Sequence, residues 1–430
     1  MKIPYSQLNN AELEQKLQEL KKIYDDYVGQ NLALDMSRGK PNTEQLDLTM
    51  GMLDTINSTT GTMTESGFDC RNYGILSGIP EARKLIADIL ECEPEEVMIG
   101  GNSSLNLMFD SVSRAFTLGV VGSDKPWCKE QELIFLCPSP GYDRHFSICQ
   151  HFGIKMIPIE MHEDGPDMDD VEYYVNNNPA VKGIWCVPKY SNPTGITYSD
   201  EVVRRFANLE PAAPDFRIFW DNAYVIHEIY EDKSDKLLNL LDLLKENGKE
   251  NMLFEFTSTS KISFAGAGIS AMCASKENIA LIEKQLTDQT IGFNKLTQLM
   301  HVRYFKNAEG MKAHMKKHAA LLRPKFTMVN DILEKELGEL DIAKWTHPNG
   351  GYFISLDVNH CAKRVVSLCA NAGVKLTDAG ATYPYKLDPN DSNIRIAPSY
   401  PTLDELEKAT ELLALCVKIA SIEYYLTTNI

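Results

Sequence analysis

No stretch of the 430 residues approaches the roughly 18 consecutive apolar residues that would cross a bilayer. The opening MKIPYSQLNNAELEQ also has no apolar core between its first lysine and its acidic stretch. The two absences argue against a membrane span and a secretory leader, and the expected location is the cytoplasm. The ten cysteines, from Cys70 to Cys416, contain no CxxC pair. Neither a zinc spacing nor a secreted disulfide framework can be drawn from them, so they read as reduced, mostly buried thiols. Positive charge is in deficit: 43 Lys+Arg against 60 Asp+Glu leave −17. Such a field repels phosphate backbones and anionic membranes, which excludes nucleic acid as a primary partner while leaving room for a local arginine site for small anions. The histidines show no metal spacing either. His314 and His318 lie four apart in a lysine-rich helix (Lys312, Lys316, Lys317) without an acidic ligand nearby, and no metal is expected.

What is present is an ordinary globular composition, 43% hydrophobic and 24% charged, in a chain long enough for two or three domains. Leu13, Leu17, Leu20, Tyr24 and Tyr27 recur at steps of three and four, which predicts an amphipathic helix over 11–27. Further helical patterns cover 80–90, 199–209, 237–245 and 311–337. Short apolar, β-rich runs at 97–99, 132–137, 183–187, 217–220 and 252–256 read as buried strands. Helices alternating with strands predict an α/β core with a mostly parallel sheet over about residues 50 to 320. The runs at 350–356 and 394–396 suggest a smaller α+β unit. No repeat, low-complexity tract or Pro/Ser-rich linker separates the two.

Ligands of open parallel sheets bind beyond the carboxyl ends of the strands. Four strands lead there into polar sequences: Gly100-Gly101-Asn102-Ser103-Ser104, Asn192-Pro193-Thr194-Gly195, Asp221-Asn222-Ala223-Tyr224, and Thr257-Ser258-Thr259-Ser260-Lys261. Singly these read as a helix entry, a turn, a cap and a surface lysine. Together they converge an amide-rich turn, an Asn, an Asp with a Tyr, and a Lys on one crevice.

In this order, and with Arg395 following, the motifs resemble the fold-type I pyridoxal 5′-phosphate (PLP) aminotransferases of class I/II, from about Asp35 to Ser399. Ser37-Arg38-Gly39-Lys40-Pro41, the PGYDRHF segment at 140–146 and TSTSKISFAGAG at 257–268 are similar to the bacterial aspartate aminotransferase subgroup called type Ic. The resemblance implies the PLP-transferase fold, a large domain with a mainly parallel, seven-stranded-type sheet flanked by helices, plus a smaller α+β domain. The expected division is 1–50 as N-terminal arm and part of the small domain, 51–320 as the cofactor domain, and 321–430 as the small C-terminal domain.

The resemblance also implies roles. Lys261 links its amine to the cofactor aldehyde and later moves the substrate proton. Asp221 keeps the pyridine nitrogen protonated. Asn192 and Tyr224 hold the 3′ oxygen, and Tyr142 stacks on the ring. Gly101, Asn102 and Ser103 at a helix N-terminus, with the Ser258 hydroxyl, bind the phosphate. The family's phosphate arginine would fall at Ile269, so its charge must come from elsewhere; Lys295 and Ser263 are the candidates. Tyr73 resembles the tyrosine given to a partner subunit's phosphate, which implies a homodimer with shared active sites. Arg395 is the fork for the α-carboxylate. The substrate loop contributes Arg38 and Gly39, and Arg144, slightly favoured over Arg38, is the candidate cation for a distal carboxylate.

The implied reaction is ping-pong transamination of an amino acid and a 2-oxo acid, L-aspartate with 2-oxoglutarate first. Aromatic or kynurenine-type transamination and β-lyase chemistry are alternatives on the same scaffold. A transcription regulator built on such a domain needs a basic DNA-binding module, and the short stretch before Ser37 offers none.

Overall fold

The computed structural model describes residues 3–428. Thirteen strands follow in chain order: β1 Leu34–Asp35, β2 Val97–Ile99, β3 Ile134–Ser139, β4 Lys155–His162, β5 Gly165–Pro166, β6 Val181–Cys186, β7 Arg217–Asp221, β8 Leu253–Ser258, β9 Ser270–Ala274, β10 Ala343–Trp345, β11 Ile354–Val358, β12 Val374–Lys375 and β13 Asn393–Ile396. Eight of them form one sheet in the order β2-β9-β8-β7-β6-β3-β4-β5. Seven strands make the body of the expected mainly parallel sheet. The eighth, β5, is a two-residue antiparallel edge.

Strands β8, β7, β6, β3 and β4 run parallel. Strand β9 is antiparallel to both neighbours, so β2 points the same way as β8. The carboxyl ends of β2, β3, β6, β7 and β8 therefore share one edge.

These strands read as continuous apolar runs because helices cover both faces, yet their side chains still alternate. Ile134, Leu136, Ile184, Ile218 and Trp220 enter one core; Phe135, Cys137, Trp185, Phe219 and Phe254 enter the other. In the second, Phe219 packs against Phe135, Trp185 and Phe254, with ring centroids 4.6–5.7 Å apart.

A third core gathers the remaining strands with both chain ends. The antiparallel β10-β11-β13 sheet and the parallel β1-β12 pair pack with helix Asn10–Gly29 and helix Leu403–Thr428. Helix Asn10–Gly29 starts on a capping box: the Asn9 side chain accepts from the Glu12 N–H and Glu12 returns the bond to the Asn9 N–H. Helix Ala308–Leu337 runs unbroken past residue 320. Its first half packs with Met52, Leu85 and Ile262 through Met311 and Met315, and its second half enters the third core through Leu322, Phe326, Val329 and Leu333. Lys312, Lys316 and Lys317 are solvated as expected, whereas His314 and His318 are buried. Among the described residues no group of His, Cys, Asp and Glu is arranged to hold a metal, and no helix is long and apolar enough to cross a membrane.

Candidate active site

A cavity of about 630 Å³ opens at the shared carboxyl edge of the sheet. Ser103 follows β2, Tyr142 and Arg144 follow β3, Asn192 follows β6, Asp221 ends β7 and Lys261 follows β8; all six line the cavity. Tyr224, Ser258, Arg38, Gly39 and Arg395 line it as well.

Asp221 is buried. Its Oδ2 lies 3.1 Å from His145 Nε2, while Oδ1 is buried without a hydrogen-bond partner. A carboxylate oxygen desolvated in this way is costly unless a donor reaches it. The His145 ring is stacked on Trp185, centroids 4.4 Å apart and 9° between planes, so the aromatic core of the sheet fixes the imidazole that holds Asp221. His145 was not among the expected site residues, although its place in PGYDRHF, one helical turn beyond Tyr142, is the signal that could have found it.

Lys261 Nζ lies 5.0 Å from the Tyr224 ring centroid and makes no hydrogen bond among the described residues. Burial lowers its pKa below that of an ordinary lysine, with the Asp221 charge opposing the shift. Burial raises the Tyr224 hydroxyl well above the ordinary phenol, and the nearby Tyr142 and Asp221 add to it. Behind the lysine, the Lys261 carbonyl accepts from the Tyr352 hydroxyl (3.4 Å), which itself accepts from Gln45 Nε2 (2.8 Å). Gln45 also meets His318, and His314 Nε2 lies 3.0 Å from the Ile262 carbonyl. The two histidines are thus spent on the backbone around the lysine.

Arg395 enters from β13. Nη1 donates to Asp143 Oδ1 (3.1 Å) and Asn192 Oδ1 (3.2 Å), Nη2 to Thr377 Oγ1 (3.0 Å) and the Ser37 carbonyl (3.3 Å). Its guanidinium lies 4.9 Å from the Phe353 ring centroid. Phe353 presses in turn on Gly39, where an added Cβ would stand 2.4 Å from the ring. Arg38 and Arg144 are exposed on the cavity wall, as are Lys40, Lys375 and Lys386. None of these five forms an ion pair among the described residues.

Helix Ser104–Thr117 begins at the cavity. Ser103 is its N-cap but makes no side-chain capping bond, and Ser103, Ser104 and Leu105 line the wall beside Ser258 and Ser260. Ser258 Oγ donates to Ser260 Oγ (3.2 Å), which donates to the Asn102 carbonyl (3.0 Å). Gly101 and Asn102 lie in the turn behind and do not line the cavity; the Gly101 carbonyl accepts from the Ser270 N–H instead. Tyr73 also lies off the cavity, 76% exposed.

The two candidates for the missing phosphate charge fall elsewhere. The Ser263 N–H bonds back to the Thr259 carbonyl, a helical turn that carries its hydroxyl into the core, 2.7 Å from His301 Nε2. Lys295 is buried, with Nζ donating to the Phe293 carbonyl (3.3 Å). Neither lines the cavity.

A family model described as aspartate amino-transferase matches residues 8–429. The chain belongs to this family. The aminotransferase is 46% identical to an aspartate aminotransferase of Corynebacterium glutamicum over 409 residues, 95% of this chain and 94% of the relative. It superposes on a crystal structure of an aspartate transaminase from that organism with a TM-score of 0.95 at 45% identity, covering 99% and 100% of the two chains. The fold is shared more widely. An α-aminoadipate aminotransferase from Thermus thermophilus, solved with N-(5′-phosphopyridoxyl)-L-leucine, matches at TM-score 0.73 and 16% identity over 99% and 96% of the chains. This chain is accordingly a PLP-dependent aminotransferase of fold type I.

Proposed function

We propose that the enzyme transfers the amino group of L-aspartate to 2-oxoglutarate, giving oxaloacetate and L-glutamate in two half-reactions. The observation that carries this reading is the pairing, in one cavity, of Lys261 and Arg395 with the unpaired cations Arg38, Lys40, Arg144, Lys375 and Lys386. One carboxylate meets the Arg395 fork and a second has cations within the same wall, a distribution suited to dicarboxylic substrates. Arg144 and Arg38 are the first choices for the distal carboxylate. The aspartate aminotransferase of C. glutamicum, related over nearly the full length, supports aspartate as the amino donor.

The residues fit bound PLP. The cofactor supplies an aldehyde for exchange with the amino group and a ring that accepts the electron pair released at the substrate Cα. The unpartnered Oδ1 of Asp221 would accept a hydrogen bond from the protonated pyridine nitrogen, with the carboxylate held by His145. Asn192 and Tyr224 would hold the 3′ oxygen, and Tyr142 the ring face. The N–H groups at the start of helix Ser104–Thr117, with Ser258 and Ser260, receive the phosphate. Gly101 and Asn102 shape the turn before that helix. Lys261 takes the proton from Cα; its lowered pKa raises the neutral, basic fraction of the amine. Arg395 orients the substrate, and closure over the cavity of the part of the chain that carries Arg38 and Arg395 would exclude water from it.

The active assembly in this reading is a homodimer. Tyr73 is exposed, as are the apolar residues Met50, Leu53, Met63, Ile291 and Leu296; the Gly74 carbonyl lies against Gly292, next to Ile291, and Arg303 donates to the Thr55, Gly61 and Met63 carbonyls. A second copy covering these residues would bring Tyr73 to its partner's phosphate. The setting is the cytoplasm, in keeping with ten cysteines that all stand as free thiols.

An absorption spectrum of the PLP-loaded protein tests the reading. A visible band that shifts on adding L-aspartate alone and returns with 2-oxoglutarate is expected. A band that ignores aspartate but responds to aromatic or sulfur amino acids overturns the substrate pair.

A further inference from the structure

All four terminal N–H groups of Arg395 are in use, and its remaining Nε–H is buried without a partner. A carboxylate gripped by two parallel N–H bonds needs at least one terminal N–H, whichever edge of the guanidinium it approaches. Binding must therefore displace one of the present partners. Asn192 and Ser37 are buried, and the Thr377 hydroxyl is neutral. Asp143 alone is charged, and its side chain is 32% exposed at the cavity wall. It is also the one partner that an incoming carboxylate would repel if it stayed.

We propose that Asp143 is an internal competitor for the carboxylate fork: its side chain occupies Arg395 between substrates and is displaced by each substrate's α-carboxylate. The inference rests on the reading of Arg395 as the substrate's fork. Asp143 opens helix Asp143–His151, so the released carboxylate remains at a helix N-terminus, where the backbone field favours a negative charge. The exchange replaces one ion pair by another, keeps Arg395 fixed between turnovers, and weakens every carboxylate ligand by the strength of the internal pair. Asp143 thus sets the affinity for carboxylates and makes no bond to a reacting atom.

The test uses PLP-loaded wild type and the Asp143→Asn and Asp143→Ser variants, with succinate as a carboxylate probe that has no amine to react. Succinate binding is read by calorimetry or by the visible spectrum of the bound cofactor. Both variants are expected to bind succinate about two- to fivefold more tightly, the range for a partly exposed ion pair. KM for L-aspartate should fall in parallel, with kcat held within about twofold. Unchanged or weaker succinate binding, or a raised KM, in both variants overturns the proposal. If wild type transfers no amino group from aspartate while the variants still bind succinate more tightly, the substrate reading fails and the competitor role stands.

Discussion

His145 Nε2 stands 3.1 Å from Asp221 Oδ2, and the imidazole making that contact lies flat against the Trp185 indole. The carboxylate deepest in the site is thereby oriented by a side chain from the sheet's aromatic core. Removing the imidazole frees Asp221 to rotate without removing its charge. His145→Ala is expected to lower kcat by roughly ten- to a hundredfold and to loosen PLP, whereas Asp221→Ala should cost at least about a thousandfold. Stopped-flow half-reactions and the cofactor spectrum separate the two. Equal losses from both variants would show that the imidazole does more than orient.

Gly39 is required by contact, since its added Cβ would fall 2.4 Å from the Phe353 ring that underlies Arg395. Gly39→Ala should push the ring toward the guanidinium and raise KM for both substrates several-fold, leaving PLP affinity intact. Steady-state kinetics beside a cofactor titration read this directly.

Much of this site was legible because four of the five strand ends at its edge are followed by small or polar residues in an ordered series. Periodicity found β2, β6, β7 and β8 to within two or three residues, and the capped helix near the N-terminus as well. It missed β9, Ser-Ala-Met-Cys-Ala, which has no β-branched or aromatic residue and is a strand only because β2 and β8 sandwich it. It also missed β4, whose Pro158 argues against a strand. The Asp143–Arg395 pair spans 252 residues, a relationship only the fold creates.

Glu255 pairs with Trp220 across β7 and β8 and accepts from Asn222 Nδ2 (2.9 Å), while the Asn222 Oδ1 has no partner. Burial pushes its carboxyl up from 4.5 to about 7. A raised folded-state pKa contributes stability that is present below the unfolded value and lost as pH rises through the folded one. Wild type should therefore lose on the order of 3 kcal/mol between about pH 4.5 and 7.5 from this group. Glu255→Gln keeps the accepting oxygen and adds a donor for Asn222 Oδ1, so its Tm should exceed wild type at pH 8 and converge with it near pH 5. Parallel melting curves across pH would contradict this.

Ser263 serves the core: its hydroxyl meets His301 Nε2 and Thr259. Burial depresses His301 to about 4, so the neutral imidazole is the folded form and its stability contribution is lost only as pH falls from 6.5 toward 4. Ser263→Ala is expected to cost about 1 kcal/mol at neutral pH, with PLP affinity unchanged. Denaturant unfolding measures the first and a cofactor titration the second. Weakened PLP binding would return Ser263 to the phosphate site.

Helix Ala308–Leu337 belongs to two cores at once, so the chain is not modular at that point. A cut at residue 320 would leave each fragment half of an amphipathic helix with its apolar stripe uncovered: Met311 and Met315 on one piece, Phe326, Val329 and Leu333 on the other. Neither piece could be exchanged for a homologous fragment unless the matching stripe came with it. Inheritance of the two halves is thus coupled through a single element, and recombination between relatives should succeed at the loops flanking this helix and fail within it.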